Sequence, residues 1–162
     1  MKRFISILCF LASVLACFGC SSANKAIEQP VNFYYLTNPE NYQANAITPE
    51  VRESSNYDND DYLGLMQIYI NGPLTDQHIN PFPKGTTVEN ITLNNVTAEI
   101  VLNDSFAELS NVEMTSACAC LTMTILELTG RHRLIITALN DSGETIYSTS
   151  MTKEHILLSD TE

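Results

Sequence analysis

The stretch SNVEMTSACACLTMTILELTGRHRLIITAL, residues 110–139, decides the fold class. It opens with the S-x-x-E form of a helix-capping box at Ser110. An apolar stripe at spacings of four and three then predicts a long amphipathic helix, and its members are Met114, Cys118, Leu121, Ile125 and Leu128. Gly130 is predicted to end this helix, because glycine readily adopts the left-handed conformation at a helix C-terminus. The closing run LIITAL predicts a central strand.

A second helix is predicted upstream, over residues 61–70. Apolar residues recur there at the i, i+3, i+4, i+7, i+8 spacing of one helical face, and they are Tyr62, Leu65, Met66, Tyr69 and Ile70. Asp60 or Asp61 is predicted to cap the N-terminus of this helix. The sequence NGP that follows is predicted to end it, because Gly suits the C′ position and Pro cannot continue a helix.

Two strands are predicted before this second helix. The aromatic run VNFYYL at residues 31–36 has the composition of a strand and stops at a Thr-Asn-Pro sequence. Residues 46–54 predict another extended segment, although Pro49 weakens that prediction because proline cannot donate to a sheet ladder.

Further strands are predicted after it. Residues 87–93 and 96–102 are predicted to pair as a tight hairpin around Asn94-Asn95, a pair that tolerates positive φ. In the second of these strands, the apolar positions fall on one face with a period of two, and they are Val96, Ala98, Ile100 and Leu102. A last, more polar strand is predicted over residues 145–150. The order β-β-α-β-β-α-β-β predicts an α+β fold, with a mixed sheet and two amphipathic helices packed on one face.

The N-terminus has the three-part pattern of a bacterial secretory signal. Lys2 and Arg3 precede an uncharged apolar run over residues 4–18, which ends in small residues and cysteine. This run is about 15 residues long, whereas a helix that spans the membrane needs roughly 20. A cysteine at the cleavage site indicates lipidation, so the sequence predicts a protein held by acyl chains on the extracytoplasmic face of the cell membrane.

Two cysteines are candidates for lipidation. Cys20 follows Gly19 and precedes two serines, which are the small neighbours that a lipoprotein peptidase accepts. Cys17 follows Val-Leu-Ala, a better upstream sequence, but bulky Phe18 comes next. Cys20 is slightly favoured, and the choice stays open at this point.

The chain is therefore divided into four predicted segments. Residues 1–19 are the signal peptide and residues 20–30 a short polar tether. Residues 31–150 form the folded domain, and residues 151–162 are predicted to be a loose C-terminal tail.

The charge of the chain excludes nucleic acid as a partner. Its formal net charge is −11, and removal of the two basic residues with the signal makes it about −13. Such a surface repels phosphate backbones. The membrane, through the lipid anchor, and protein partners or further copies of the chain are the partners that we expect.

No known catalytic or metal-binding motif is present in the sequence. Cys118 and Cys120 are predicted to be buried as small apolar residues, because their C-x-C spacing puts them on different faces of a helix. The three histidines are far apart and are predicted to lie at the surface, at His78, His132 and His155. We therefore expect no enzymatic activity, no cofactor and no bound metal.

The loop NYDNDD at residues 56–61 is rich in carboxylates, as calcium-binding loops are. Counted from Asp58, the sixth and twelfth positions are Leu63 and Tyr69, where an EF-hand requires glycine and a carboxylate. The pattern fails, so the predicted role of this loop is helix capping by Asp60 or Asp61.

The order of these elements resembles the GerMN domain of sporulation and spore-germination lipoproteins. The matching sequences are NFYYL, TPEVRE, NGP after the first helix, PKGT, VENITLNNVTAEIVLNDSF, the long helix and LIITALNDSG. The resemblance covers roughly residues 31–150. It implies an extracytoplasmic, anchored assembly module without established catalytic residues. The alternatives are an extracytoplasmic binding protein for a cation or small polar ligand, through Asp58–Asp61, and an envelope enzyme that acts through carboxylates.

Overall fold

Seven strands and two α-helices alternate along the part of the chain that the structure describes, residues 30–53 and 61–156 of a computed structural model. The strands are β1 Val31–Thr37, β2 Ile47–Arg52, β3 His78–Ile79, β4 Val88–Leu93, β5 Thr97–Leu102, β6 Arg133–Leu139 and β7 Thr145–Met151. The helices are α1 Tyr62–Ile70 and α2 Asn111–Thr129, and 3₁₀ turns lie at Asp104–Glu108 and Lys153–His155.

A four-stranded mixed sheet has the order β4-β5-β6-β7. Strands β5 and β6 are parallel, from Thr97 opposite Arg133 to Leu102 opposite Ala138, and the other two pairs are antiparallel. Helix α2 makes the crossover between β5 and β6, as a parallel pair requires. Its capping box is present, with the Ser110 N–H donating to the Glu113 carboxylate at 3.0 Å, and Gly130 ends it at φ 65°.

A second, antiparallel sheet has the order β2-β1-β3. Pro49 is accommodated because β2 is an edge strand. In an antiparallel ladder, hydrogen-bonded and non-hydrogen-bonded residue pairs alternate. Thr37 N–H donates to the Ala46 carbonyl, and three positions further along, Tyr34 and Pro49 therefore form a non-hydrogen-bonded pair. The missing N–H of Pro49 therefore faces away from β1 and costs no ladder bond.

Strand β3 pairs with β1 only at Leu36 and Thr37, and side chains from the two helices bond to the same edge of β1 at Tyr34. The hydroxyl of Thr124, on α2, accepts a hydrogen bond from Tyr34 N–H at 2.9 Å. The hydroxyl of Tyr69, on α1, donates to the Tyr34 carbonyl at 2.6 Å. These two bonds occupy the backbone groups that a neighbouring strand would pair with, and they separate the two sheets.

Two apolar clusters lie on different sides of α2. The larger is built from β1, α1, the four-stranded sheet and one face of α2 that includes Cys118. The smaller contains Ile47, Ala119 and Cys120, with half-buried residues packed against it at Tyr34, Leu36, Met123 and Ile156. Both thiols are free and buried, so the prediction of two buried cysteines on different faces is confirmed.

Helix α2 is long and apolar enough to cross a membrane by length and composition alone, and no other helix within residues 30–53 and 61–156 is. Of its apolar stretch, 56% is buried inside the domain. That burial is what the central helix of a folded domain requires.

The predicted α+β class, the two helices and the order of the main elements are confirmed. The strands form two separate sheets, because β1 bonds to helix side chains at Tyr34 and not to the four-stranded sheet. The two-residue strand β3 was not predicted. The hairpin turn is centred on Asn95 and Val96, with Asn94 N–H bonded to the Thr97 carbonyl. No described residue other than glycine has positive φ, so the expected tight-turn conformation of Asn94-Asn95 is wrong, and Val96 is 59% exposed in the turn.

The predicted loose tail is wrong for its first residues. Met151 completes β7, residues Lys153–His155 form a 3₁₀ turn, and Ile156 packs against the smaller cluster. The apolar side chain of Ile156 gains burial there, which holds this turn against the domain. Residues 157–162 lie outside the described part of the chain.

Candidate interaction surface

A groove runs between the three-stranded sheet and α2, and we call it the apolar groove. Its volume is about 340 Å³. Leu36 and Ile47 form one wall, Ala119 lies on α2 opposite them, and Met151 and Ile156 contribute from the end of β7 and the turn after it. The remaining lining residues are Asn45, Ala46, Thr115, Ser116 and His155.

The alternation of β1 and β2 explains why the groove is apolar. Leu36 and Ile47 are directly opposite each other in the ladder, so their side chains share one face of the sheet. Ile79 of β3 pairs with Leu36, which extends this apolar face, and Ile79 is 45% exposed. The groove is therefore continuous with exposed apolar surface on the third strand.

None of the ten lining residues is Asp, Glu, Lys or Arg. The whole chain carries 19 acidic and 8 basic residues, so a surface of this size without charge stands apart from its surroundings. Depletion of charge is the compositional mark of the buried part of protein interfaces.

A small recess continues beyond Ile156. It is lined by Tyr34, Met123, Glu127, Lys153 and Ile156 and holds about 100 Å³. The Tyr34 hydroxyl donates to Glu127 at 2.6 Å. Burial, with the hydrogen bond to this carboxylate, raises the pKa of Tyr34 to about 12, so the phenol stays protonated.

The opposite face of the three-stranded sheet holds a buried polar cluster. Glu50 and Arg52 lie on the same face of β2 and are each 6% exposed. Arg52 Nη2 is 2.6 Å from Glu50 Oε1, and Arg52 also donates to the Gly72 carbonyl at 2.9 Å. Its guanidinium lies over the Phe33 ring, 4.8 Å from the centroid. This arrangement satisfies a buried cation with both charge and an aromatic face.

The second oxygen of Glu50 holds the loop after α1. It accepts from the backbone N–H groups of Leu74 and Thr75, at 2.8 and 3.0 Å, and from the Thr75 hydroxyl at 3.2 Å. Burial by itself raises the pKa of Glu50, but the hydrogen bonds from Arg52 and from this loop outweigh it and leave the pKa below its ordinary value of 4.5. Glu50 therefore fastens the loop to β2 as an anion.

His78 belongs to this cluster, so the prediction that it lies at the surface is wrong. It is 8% exposed, because β3 pairs with β1 and turns His78 towards Thr75, whose hydroxyl is 3.0 Å from Nδ1. When the Thr75 hydroxyl donates to Glu50, it can only accept from His78, so Nδ1 carries the proton. Nε2 is then unprotonated, and it is buried without a hydrogen-bond partner. Burial lowers the pKa of His78 against the attraction of the Glu50 carboxylate. The other two histidines are exposed as predicted, at His132 and His155.

Of the remaining predicted site residues, only Asp61 lies in the described part of the chain. The lipidation candidates Cys17 and Cys20 and the loop residues Asp58 and Asp60 lie outside the described part of the chain. Asp61 caps α1 by accepting from Gly64 N–H at 2.9 Å, as predicted. Within residues 30–53 and 61–156, no three His, Cys, Asp or Glu side chains are grouped to hold a metal ion.

The cysteines of α2 are poor nucleophiles. Burial raises the pKa of Cys118, and burial together with the neighbouring Cys118 raises the pKa of Cys120 to about 12. Both thiols are therefore protonated at neutral pH and inert while the domain is folded.

Known structures share this fold, although no model of a protein family matches the chain and no curated protein is significantly similar in sequence. The first GerMN domain of the sporulation protein GerM from Bacillus subtilis aligns with a TM-score of 0.54 and 14% identity, over 78% of this chain and 98% of that domain. The tandem GerMN domains of GerM align with a TM-score of 0.52 and 13% identity, over 83% of this chain and 50% of that one. The chain thus spans half the length of the tandem structure. These similarities show a GerMN-like fold, which confirms the fold that the sequence resemblance implied.

Proposed function

We propose that this chain is a lipid-anchored extracytoplasmic protein whose GerMN-like domain is a non-catalytic interaction module of the cell envelope, with a role in sporulation or germination. The apolar groove is its binding site, and the ligand is an uncharged, apolar segment of a partner protein. The single observation that carries this proposal is the absence of charge from all ten groove residues in a chain of net charge −11.

The chemistry of the groove selects its occupant. A volume of about 340 Å³ accommodates a few apolar side chains, and Leu36, Ile47 and Ala119 offer them only apolar contacts. A charged segment would lose its hydration there without gaining an ion pair. The net negative charge of the chain also disfavours acidic partners.

The position of the ionisable residues supports a non-catalytic role. The cluster of Glu50, Arg52 and His78 is buried, and its carboxylate is engaged by the loop at Leu74 and Thr75. A substrate in solvent has no contact with these groups, whereas general acid or base catalysis needs direct hydrogen-bond reach.

The proposed location rests on the N-terminal sequence. Basic residues, an apolar run and a cysteine with small neighbours are the requirements for export and acylation, and they are met with Cys20 or with Cys17. The sporulation role rests on the fold that the chain shares with domains of the sporulation protein GerM.

Site-specific photocrosslinking in the native membrane tests the groove. A photoreactive amino acid at Thr115, on the groove rim, is expected to give a defined adduct with one partner. The matched control carries the same amino acid at Thr92, which is exposed on β4 away from the groove. Ala119→Arg, which puts a long charged side chain into the groove, is expected to abolish the Thr115 adduct.

Two outcomes contradict the proposal. One is an adduct that forms equally well from Thr115 and Thr92. The other is an adduct that survives Ala119→Arg in a protein whose circular dichroism and melting temperature match those of the parent chain.

Mass spectrometry of the mature N-terminus tests the anchor. We expect an acylated N-terminal Cys20, loss of membrane attachment in Cys20→Ser, and little effect of Cys17→Ser. Acylated protein in Cys20→Ser and none in Cys17→Ser would assign the anchor to Cys17. A mature N-terminus without acyl groups would refute the anchor altogether.

A further inference from the structure

Strand β7 is an edge of the four-stranded sheet, and its sequence TIYSTSM contains no charged residue. Its register shifts only at the hairpin end, between the positions opposite Ala138 and Leu139, so Tyr147–Met151 is a regular strand. An edge strand presents N–H and C=O groups that can pair with another chain. Ser148 and Ser150 are exposed on the face that α2 does not cover, opposite Thr137 and Ile135.

The other edges within the described part of the chain are protected. Strand β2 carries Pro49, whose ring replaces an outward N–H. Strand β4 has a register shift between Val88 and Asn90, with Glu89 at the irregular position. Strand β3 has two residues. Bulges, prolines, charges and short length are the usual protections against edge-to-edge pairing, and Tyr147–Met151 has none of them.

The two ends of β7 differ in charge. Asp141 and Glu144 flank the turn that precedes it. At the other end, Lys153 follows the strand and Arg133 begins the adjacent strand β6, and these two cations lie near one exposed carboxylate, Glu154. Antiparallel pairing of two copies brings Asp141 and Glu144 of each copy towards Lys153 and Arg133 of the other, so these charges attract, although each copy also carries Glu154 at that end.

We propose that two copies of this chain pair through β7 in antiparallel orientation and join their four-stranded sheets into one sheet of eight strands. A two-fold arrangement satisfies both edges at once, which is the usual symmetry of homodimers. Because no residue of Thr145–Met151 is charged, no like charges meet along the paired strands. This inference goes beyond the proposed function, since it concerns a strand edge that reaches the apolar groove only at Met151.

The interface is small. Pairing of one strand from each copy buries less than the roughly 1,600 Å² of a standard stable interface, so we expect a monomer–dimer equilibrium in solution. Confinement of both copies to one membrane would raise their effective concentration and favour the dimer.

The geometry is compatible with anchoring of both copies. The Asn32 amide bonds to Glu127, close to the end of α2, so β1 begins at the basic end of β7. Antiparallel pairing puts the two chain starts at opposite ends of the joined sheet. An 11-residue tether, as predicted for residues 20–30, would reach at most about 35–40 Å, which favours attachment of both copies to one membrane.

Sedimentation analysis of the full chain in detergent tests the pairing. We expect a concentration-dependent dimer for the unaltered chain. Ser148→Lys with Ser150→Lys is expected to weaken dimerisation at least tenfold, because lysines then oppose one another in every two-fold register centred on Ser148, Thr149 or Ser150. Asn90→Lys with Thr92→Lys is the matched control on the other edge strand, and it is expected to dimerise as the unaltered chain does.

Charge reversal makes the test specific. The added lysines reduce the net negative charge and so reduce general repulsion, and loss of the dimer cannot arise from net charge. A mixture of the Ser148→Lys/Ser150→Lys chain with a Ser148→Glu/Ser150→Glu chain is expected to restore a dimer that contains one copy of each. A monomeric unaltered chain at all concentrations would overturn the proposal, as would equal dimerisation of both lysine variants or failure of the mixture to associate. Each of these results leaves the groove proposal standing, because its crosslink from Thr115 is measured separately.

Discussion

Arg52 and Glu50 form an ion pair in which Nη2 and Oε1 are 2.6 Å apart and both side chains are about 95% buried. They lie two positions apart on β2, and Glu50 also fastens the loop at Leu74 and Thr75. The pair therefore joins an edge strand to the loop that follows α1.

Arg52→Met is expected to lower the free energy of unfolding by about 3–5 kcal/mol, because it leaves the buried Glu50 carboxylate without its cation. Urea denaturation measures this loss. Arg133→Met removes an exposed arginine and is expected to cost no more than about 0.5 kcal/mol.

Glu50→Gln in the Arg52→Met background is expected to recover part of the loss. The amide oxygen of Gln still accepts from the loop N–H groups, while the uncompensated charge is gone. Additive losses in this double-mutant cycle would contradict the ion pair as the source of the effect.

The stability of the domain is expected to fall in two steps on acidification. The pKa of His78 lies below 6.5 in the native state. Below pH 6.5 the unfolded chain therefore binds a proton at His78 that the native chain does not bind, and the free energy of unfolding falls. The pKa of Glu50 lies below 4.5 in the native state, so its contribution is complete above pH 4.5 and is lost as the pH falls through its native pKa.

Unfolding free energies between pH 7.5 and pH 3 check this expectation. His78→Gln is expected to remove the slope that begins near pH 6.5, whereas His132→Gln, at an exposed position, should retain it. An unchanged slope in His78→Gln would assign the pH dependence to other groups.

Thr124→Val is expected to destabilise the domain by about 1–3 kcal/mol, because the partly buried Tyr34 N–H loses its acceptor. Thr122→Val is the matched control on the same helix. The Thr122 hydroxyl is also fully buried, but it donates to the Cys118 carbonyl within α2, and its loss leaves no backbone N–H unpaired. Chemical denaturation distinguishes the two variants, and equal losses would show that the β1 edge does not depend on Thr124.

Gly130→Ala is expected to cost about 1 kcal/mol. Its φ of 65° is strained for any residue with a Cβ, while a Cβ at this position would meet no atom within 4 Å. Gly130→Asn should cost less, because asparagine tolerates the left-handed region. The melting temperatures of the two variants check this order, and an unchanged value for Gly130→Ala would contradict the strain.

Local sequence signals predicted both helices well. The capping box at Ser110 and the left-handed Gly130 bound α2 to within one residue at each end, because caps act over three or four positions. The same holds for α1, where Asp61 caps the helix as expected. The predicted amphipathic stripes are buried except at Tyr62 and Leu128, which are half-buried, because each helix packs its apolar face against the core.

Contacts between residues far apart in the chain could not be predicted from the sequence. The division into two sheets depends on Thr124 and Tyr69, which bond to Tyr34 from 90 and 35 residues away. Strand β3 is two residues long, too short for any periodicity, so the burial of His78 had no signal. The apolar groove combines β1, β2, α2 and the chain after β7, and only the folded chain brings these segments together.

Cys118 and Cys120 lie in different apolar clusters, so their reactivity reports local opening of two different parts of the domain. One thiol reports on the cluster against the four-stranded sheet, and the other on the cluster beneath Ile47. Since no backbone ladder joins the two sheets, each half can open at its own rate. Alkylation of native protein followed over time should therefore give separate rates for Cys118 and Cys120, which would show which half of the domain opens first.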